Sequence, residues 1–378
     1  LQFQVNTIFY QDFDMKLLDE QAIEHISIGA SIMASGGGGD PYIGKIMALK
    51  AIEEHGPLPL FAVDEFQPDD LLLSTGMIGS PTVMMEKVPN GNESITACRL
   101  MEKRLGRKIT AIYPIEAGGI NSLLPLATAS RLGLPVADVD AMGRAFPEFQ
   151  MTTFHLDRLT ASPFIVVDEN CNSCEIEAND NLKAEKFARA VSVKMGGAAV
   201  FAAYPVSPRQ AGQSGIVGTL SFMQWIGAKI EQTRRDKTGM VEMLTEALSG
   251  YVLFRGIASK VDQRSDGGFT RGEATFAGID AQQGRQFKIL FQNEYLLAQC
   301  DNTPLCMTPD LIILLDEDTG QPILSERLRY GKRVVALGVP ANRRWRTPFG
   351  IQVAGPGYFN YETDFIAVET LAAANRGN

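Results

Sequence analysis

Ile109-Thr-Ala-Ile-Tyr-Pro-Ile-Glu-Ala-Gly-Gly-Ile-Asn-Ser122 is the stretch on which the fold class turns. Ile109–Ile115 reads as a strand, Gly118-Gly119 as the turn that ends it, and Ser122–Arg131 as the helix that follows. Val136–Val139 returns as another short apolar strand. Strand, loop, helix, strand is the grammar of a layered α/β domain. Upstream, Leu17–Ile26 has an amphipathic helical period. The glycine-rich Ser35–Asp40 leads into Pro41–His55, where Ile43, Ile46, Met47 and Leu49 repeat at helical spacing. Asp40-Pro41 suits an N-cap followed by proline at the first helical position, and Gly56-Pro57 suits the stop. Leu60–Val63 and Leu71–Thr75 are strand-sized, and Glu93–Leu105 is helical.

Downstream, helices over Leu182–Met195 and from about Gly212 to Leu248, broken near Lys237–Gly239, flank a strand at Ala198–Ala203. After Gly250 the period changes. Tyr251–Lys260, Thr270–Phe276, Phe287–Leu290, Tyr295–Ala298, Leu311–Leu315, Val334–Val339 and Phe365–Val368 are all strand-length. Turns such as Asp266-Gly267-Gly268 separate them, which predicts a closed or sandwiched β unit. The expected division is an α/β domain over 1–170 and a mainly β domain over 171–378, with helices at 182–248 and a β core at 250–370.

With 378 residues the chain is long enough for two domains and a core that needs no disulfides. Thirty-five Lys+Arg against 44 Asp+Glu leave a net charge of −9, which disfavours nucleic acid and anionic lipid as partners. No apolar run approaches the ~18–20 residues of a membrane span. Leu1–Asp14 lacks the basic and apolar regions of a signal peptide, and five cysteines make no disulfide framework. The expected compartment is the cytoplasm, with reduced thiols. Cys171-x-x-Cys174 resembles half a zinc site, but Cys300 and Cys306 have the wrong spacing for the other half.

Three motifs carry candidate chemistry. Gly36, Gly37, Gly38, Gly39 and Asp40 open a helix without the lysine or spacing of a phosphate loop, and Asp40 puts a carboxylate where a phosphate would sit. They form either a tight, self-capped turn or the wall of a site for a neutral or weakly anionic ligand. Glu116, Gly118, Gly119 and Asn121 lie at the carboxyl end of a strand, where open α/β sheets bind ligands. Their alternative is a turn with Asn121 as N-cap. Asp138 and Asp140 follow a strand at a spacing that puts both on one face, with Arg144 and Glu148 close behind. Such carboxylates do acid–base work or hold a divalent cation; the alternative is a solvated loop with an Asp–Arg pair. His25 and His55 read as helix-end residues, and His155 as a candidate ligand or base.

These strings resemble the family named after S-methyl-thiohydantoin desulfurase. The resemblance runs through Ala34-Ser-Gly-Gly-Gly-Gly-Asp-Pro-Tyr-Ile-Gly44, Ile115-Glu-Ala-Gly-Gly-Ile-Asn121 and Val139-Asp-Ala-Met-Gly-Arg-Ala-Phe-Pro-Glu148. It continues in Gly267-Gly-Phe-Thr-Arg-Gly272, Asn293-Glu294 and Pro309-Asp-Leu-Ile-Ile-Leu-Leu-Asp316. It implies a three-layer α/β/α domain followed by a barrel-like, mainly β domain. It also implies a small-molecule substrate of the hydantoin or thiohydantoin kind, and an association with hydantoinase or oxoprolinase-type enzymes. The chain is then a hydrolase of such a ring, or a non-catalytic binding or partner subunit, in either case a candidate homo-oligomer. In the hydrolase reading Asp138 or Asp140 activates water, with Glu116 and Glu148 as further carboxylates. Arg144 or the N–H groups of the glycine motifs meet the developing negative charge. A divalent ion on Asp138, Asp140 and His155 is the alternative way to activate water.

Overall fold

Two β-sheets, from the two halves of the chain, meet along one seam in the computed structural model, which describes residues 17–375 apart from 81, 82, 84, 85 and 88. The opening segment Leu1–Asp14 lies outside the described residues. The first sheet has the order β1 (Leu17–Leu18), β2 (Leu58–Phe61), β5 (Val136–Ala137), β4 (Ala111–Pro114), β3 (Leu72–Gly79), β9 (Ala198–Val206), β7 (Phe164–Val167), β8 (Ser173–Ile176). β2, β5, β4 and β3 run parallel to one another, and the outer pairings are antiparallel. A separate pair joins β6 (Val139–Asp140) to β10 (Ile216–Val217). Every residue of β3 and β4 is buried, the mark of strands covered on both faces.

The covering helices are α1 (Glu20–Met33), α2 (Pro41–His55), α3 (Asn92–Leu105), α4 (Leu124–Leu132), the short α5 (Thr153–Leu156), α6 (Asn181–Lys194), α7 (Pro208–Ser214), α8 (Thr219–Asp236) and α9 (Met240–Ala247). α2 has the expected bounds because its signals are local. Asp40 accepts from the Tyr42 N–H, Pro41 opens the first turn, and Gly56 ends the helix at φ +86°. α1 and α8 cross with their backbones touching: a Cβ on Gly29 would strike Met223, and one on Gly227 would strike His25.

The second sheet is antiparallel throughout, in the order β15 (Thr303–Met307), β14 (Glu294–Cys300), β13 (Gln286–Gln292), β12 (Phe269–Gly278), β11 (Tyr251–Asp266), β17 (Arg333–Val339), β16 (Leu311–Asp316). It curls until β14 and β15 lie against β16, giving the barrel-like form. Phe254, Phe276 and Phe287 fill its interior, with Phe254 and Phe287 stacked at 4.8 Å. Two short helices close the chain, α10 (Pro348–Ala354) and α11 (Val368–Asn375). The fold is thus α/β followed by β, as expected.

Some elements differ from the sequence reading. Phe365–Val368 is not a strand. Asp310, far away in sequence, accepts from the Val368 N–H at 2.9 Å and so starts α11. The hairpin β7–β8 and the strand β15 were not anticipated. Strands β7 to β9, up to Val206, belong to the first sheet. All five cysteines are free thiols. Among the described residues no helix is long and apolar enough to cross a membrane.

Candidate functional site

β4 ends at Pro114, and the chain turns immediately to avoid running past the sheet. The turn buries Glu116 and positions Asn121 above the neighbouring strand. Asn121 uses its whole amide as a clamp. Oδ1 accepts from the Met77 N–H at 2.7 Å, while Nδ2 donates to the Met77 carbonyl at 3.1 Å and to Glu116 Oε1 at 2.8 Å. Only glycine at position 76 leaves space for this reach. Glu116 is thereby fixed at the carboxyl end of the parallel strands, with Phe146 N–H donating to its other oxygen at 3.3 Å.

The glycine run is the seam between the two halves. Ser35 binds the second sheet through its carbonyl, which accepts from Tyr295 N–H at 2.8 Å, and through its hydroxyl, which bonds to the Ile312 backbone. The Gly36 carbonyl accepts from Ser325 N–H at 2.7 Å, and Gly38 N–H donates to Glu294 Oε1 at 2.9 Å. A Cβ on Gly36 would collide with the Tyr295 ring, one on Gly37 with the Glu294 carboxyl, and one on Gly119 with the Gly38 carbonyl. Glycine is required here by close approach, so the run is neither a phosphate loop nor a free row of donors. Gly37 N–H is already bonded to Ala34, and Gly118 N–H to the Ser122 hydroxyl.

A small, half-open cleft lies between these parts. Glu116, Asn121, Gly38 and Glu148 line it from the first half, and Asn293 and Glu294 from the second. Glu294 is 1% exposed, and among the described residues its Oε2 has no hydrogen-bond partner. Burial raises both carboxyls. Glu294 rises to about 8, with the Arg144 guanidinium pulling against the shift. Glu116 rises well above the usual carboxylate range, through burial and then the charge of Glu294. Behind Glu294, Glu326 is buried on the short turn Ser325–Arg327 and raised to about 7 by that burial.

The remaining sequence candidates are placed otherwise. Asp138 does not pair with Asp140: it accepts from Leu220 N–H at 2.8 Å and from the Ser221 hydroxyl, capping α8 from a distance. Asp140 folds back on its own turn, accepting from Met142 N–H at 2.9 Å and Gly143 N–H at 2.6 Å; burial raises it to about 7. Neither lines the cleft. Alternation put them on one face, but the chain leaves the first sheet at Asp138 and rejoins a different pairing at Val139, so the alternation does not carry across. Arg144 is buried and, among the described residues, forms no ion pair with a carboxylate within 4 Å. Nη1 donates to the carbonyls of Pro309 (2.7 Å) and Asp310 (3.0 Å), bolting the halves together, and Nη2 has no partner. Burial lowers it to about 10. Asp40 caps α2 and pairs with Arg327. Glu148 accepts from Tyr358 OH at 2.6 Å and Gln150 at 2.7 Å.

His155 stands on α5, away from the cleft, with its Nδ1 3.3 Å from the Asn181 amide. Burial, and then the charge of Arg158, lower its pKa. Asp138, Asp140 and His155 do not converge, and among the described residues no three His, Cys, Asp or Glu side chains form a metal-holding group. The donor set for the divalent ion is thus not assembled by these residues. Glu294 is the main residue that motif reasoning passed over. Its one signal was the Asn293-Glu294 step, where Asn293 adopts φ +57° to turn β13 into β14.

A parallel-cored α/β half and a curled antiparallel half, joined by a glycine seam beside a cleft that Glu116, Glu148 and Glu294 line, define the class of protein. The chain belongs to the S-Me-THD-like family. The family's N-terminal domain matches residues 21–179, and its C-terminal domain matches residues 179–368. The fold is similar to the crystal structure of a protein from Chromobacterium violaceum. That likeness has a TM-score of 0.76 at 23% identity, covering 93% of this chain and 99% of the other. No curated protein matches the sequence significantly.

Proposed function

We propose that the protein hydrolyses a small thiohydantoin-like ring, replacing a ring-carbon sulfur substituent by oxygen. The observation that carries this reading is the convergence of two buried carboxyls, Glu116 and Glu294, on one cleft, one of them with an oxygen that has no partner. The family supplies the substrate class. Water adds to the electrophilic C–S carbon of the ring, the C–S bond breaks, and a C=O forms. Of the two protons of water, one ends on the ring nitrogen and the other on the departing thiol. Glu294, whose Oε2 faces the cleft, takes a proton from water, and Glu116 gives one to the sulfur; burial raises both carboxyls. Two carboxyls in these roles need no histidine.

Thiol release from a panel of S-methyl-thiohydantoins, followed with a thiol reagent, tests the reading. The expected result is stoichiometric methanethiol and the corresponding hydantoin. Tight binding of the rings without thiol release would instead fit the ligand-binding partner of a hydantoinase-type enzyme.

A further inference from the structure

A five-membered ring does not fit the cleft as it stands. The space holds a few waters, well short of the roughly 300 Å³ at which small-molecule sites begin. Its walls, Met77, Phe146, Phe149 and Phe201 among them, are buried. Among the described lining side chains, only those of Glu148 and Arg189 are partly exposed, and they mark the mouth. A ring enters only if something at that mouth moves.

The turn Gly267-Gly268-Phe269, which joins β11 to β12, reaches the mouth from the second half. Arg189, on α6, clasps it to the first half. The guanidinium is paired with Glu185, donates to the carbonyls of Gly268 and Pro147 at 3.2 Å each, and lies 4.1 Å over the Phe269 ring. Pro147 lines the cleft, as does Phe149, whose N–H donates to Glu185 at 3.0 Å, so the clasp closes directly on the wall. This turn can give where the glycine seam cannot. β11 pairs with β17 only over Tyr251–Ile257, and the end of the β11–β12 hairpin projects beyond that pairing. Gly267 and Gly268 sit at φ +58° and +84°, with open space beside Gly267. The two 3.2 Å bonds of the clasp are longer than the 2.7 and 2.9 Å bonds that Gly36 and Gly38 make across the seam. Resting on the reading of this cleft as the reaction site, we propose that the turn Gly267–Phe269 is a lid, latched shut by Arg189, and that the ring enters when the lid lifts.

Carbodiimide labelling of Glu294 in the full chain, read by peptide mass, measures the opening without requiring turnover. Arg189→Gln keeps a donor for Glu185 but does not reach Gly268. It is expected to speed the labelling of Glu294 at least about tenfold, the usual effect of losing a hydrogen bond from a charged group. Asp310, buried outside the cleft, is expected to keep its wild-type rate. A Cβ on Gly268 would lie 3.4 Å from Arg189 Cγ, within disulfide reach, so Arg189→Cys combined with Gly268→Cys supplies a lock. Its oxidised form is expected to leave Glu294 unlabelled, and reduction to restore labelling. Equal labelling of the oxidised and reduced forms would overturn the lid. So would equal acceleration at Glu294 and Asp310 in Arg189→Gln, the mark of general unfolding. No thiol release from S-methyl-thiohydantoins by wild type, with the lock still controlling labelling, would remove the ring-hydrolase reading and leave the lid standing.

Discussion

Gly37 lacks a side chain because the Glu294 carboxyl occupies the space beside it. The two residues form one unit: remove the space and the carboxyl must move. Gly37→Ala is therefore expected to cost about 1–3 kcal/mol, as overpacking at a tight contact does, and to lower thiol release with it. Urea denaturation and the release assay check the two effects together; an alanine variant with wild-type stability would contradict the fit. At this scale the sequence was partly legible. Glu116 and Asn121 share the cleft, and the sequence brings them together because a strand end, two glycines and an amide lie within six residues. Asp138 and Asp140 do not share a face because the strand break between them is set by a partner, β10, some 76 residues further on. Glu294 stands in the Asn293-Glu294 string of the resemblance, but a single carboxylate at the start of a strand carries no motif that gives it a role.

Among the elements, helices with local signals were read well and elements set by distant partners were not. α2 has its cap, its proline and its terminal glycine in its own sequence. α11 takes its start from Asp310, and α8 begins at Gly218 with no cap from its own segment and borrows Asp138. The borrowed cap gives Asp138 a structural role. Asp138→Ala is expected to lower stability by about 1 kcal/mol, within the usual 0.5–2 for a lost cap, through loss of the Leu220 and Ser221 contacts. Thiol release per folded molecule is expected to stay near wild type, which equilibrium unfolding and the release assay measure separately. A rate loss of a hundredfold without loss of stability would return Asp138 to the chemistry.

In the whole molecule the decisive contacts join the two halves, and none could be read from local pattern. The bond from Gly38 to Glu294 spans 256 residues. Fold class was legible because each half carries its own periodicity; the seam was not, because periodicity says nothing about docking. Burial also leaves a charge signature. Asp140, Glu294 and Glu326 have native pKa values raised to about 7, 8 and 7 by burial. A carboxyl that holds its proton more tightly when folded stabilises the fold fully below its unfolded pKa, near 4. That stabilisation is lost as pH rises through the folded value. The midpoint of thermal unfolding is expected to fall by the order of 5 °C between pH 5.5 and pH 8.5, and by less in Glu294→Gln. A melting temperature that rises over that interval would contradict the burial of these groups.

The central claim is that Glu294, held by the glycine seam, activates water in the cleft. Its most direct measurement is thiol release by Glu294→Gln across pH 6–9, with folding verified by the unfolding midpoint. A folded Glu294→Gln chain is predicted to lose about 10²–10⁴ in rate, and wild type to show a rise in rate with an apparent pKa near 8 that the variant lacks. Wild-type rates in the variant, with the same rise across pH, would contradict the account.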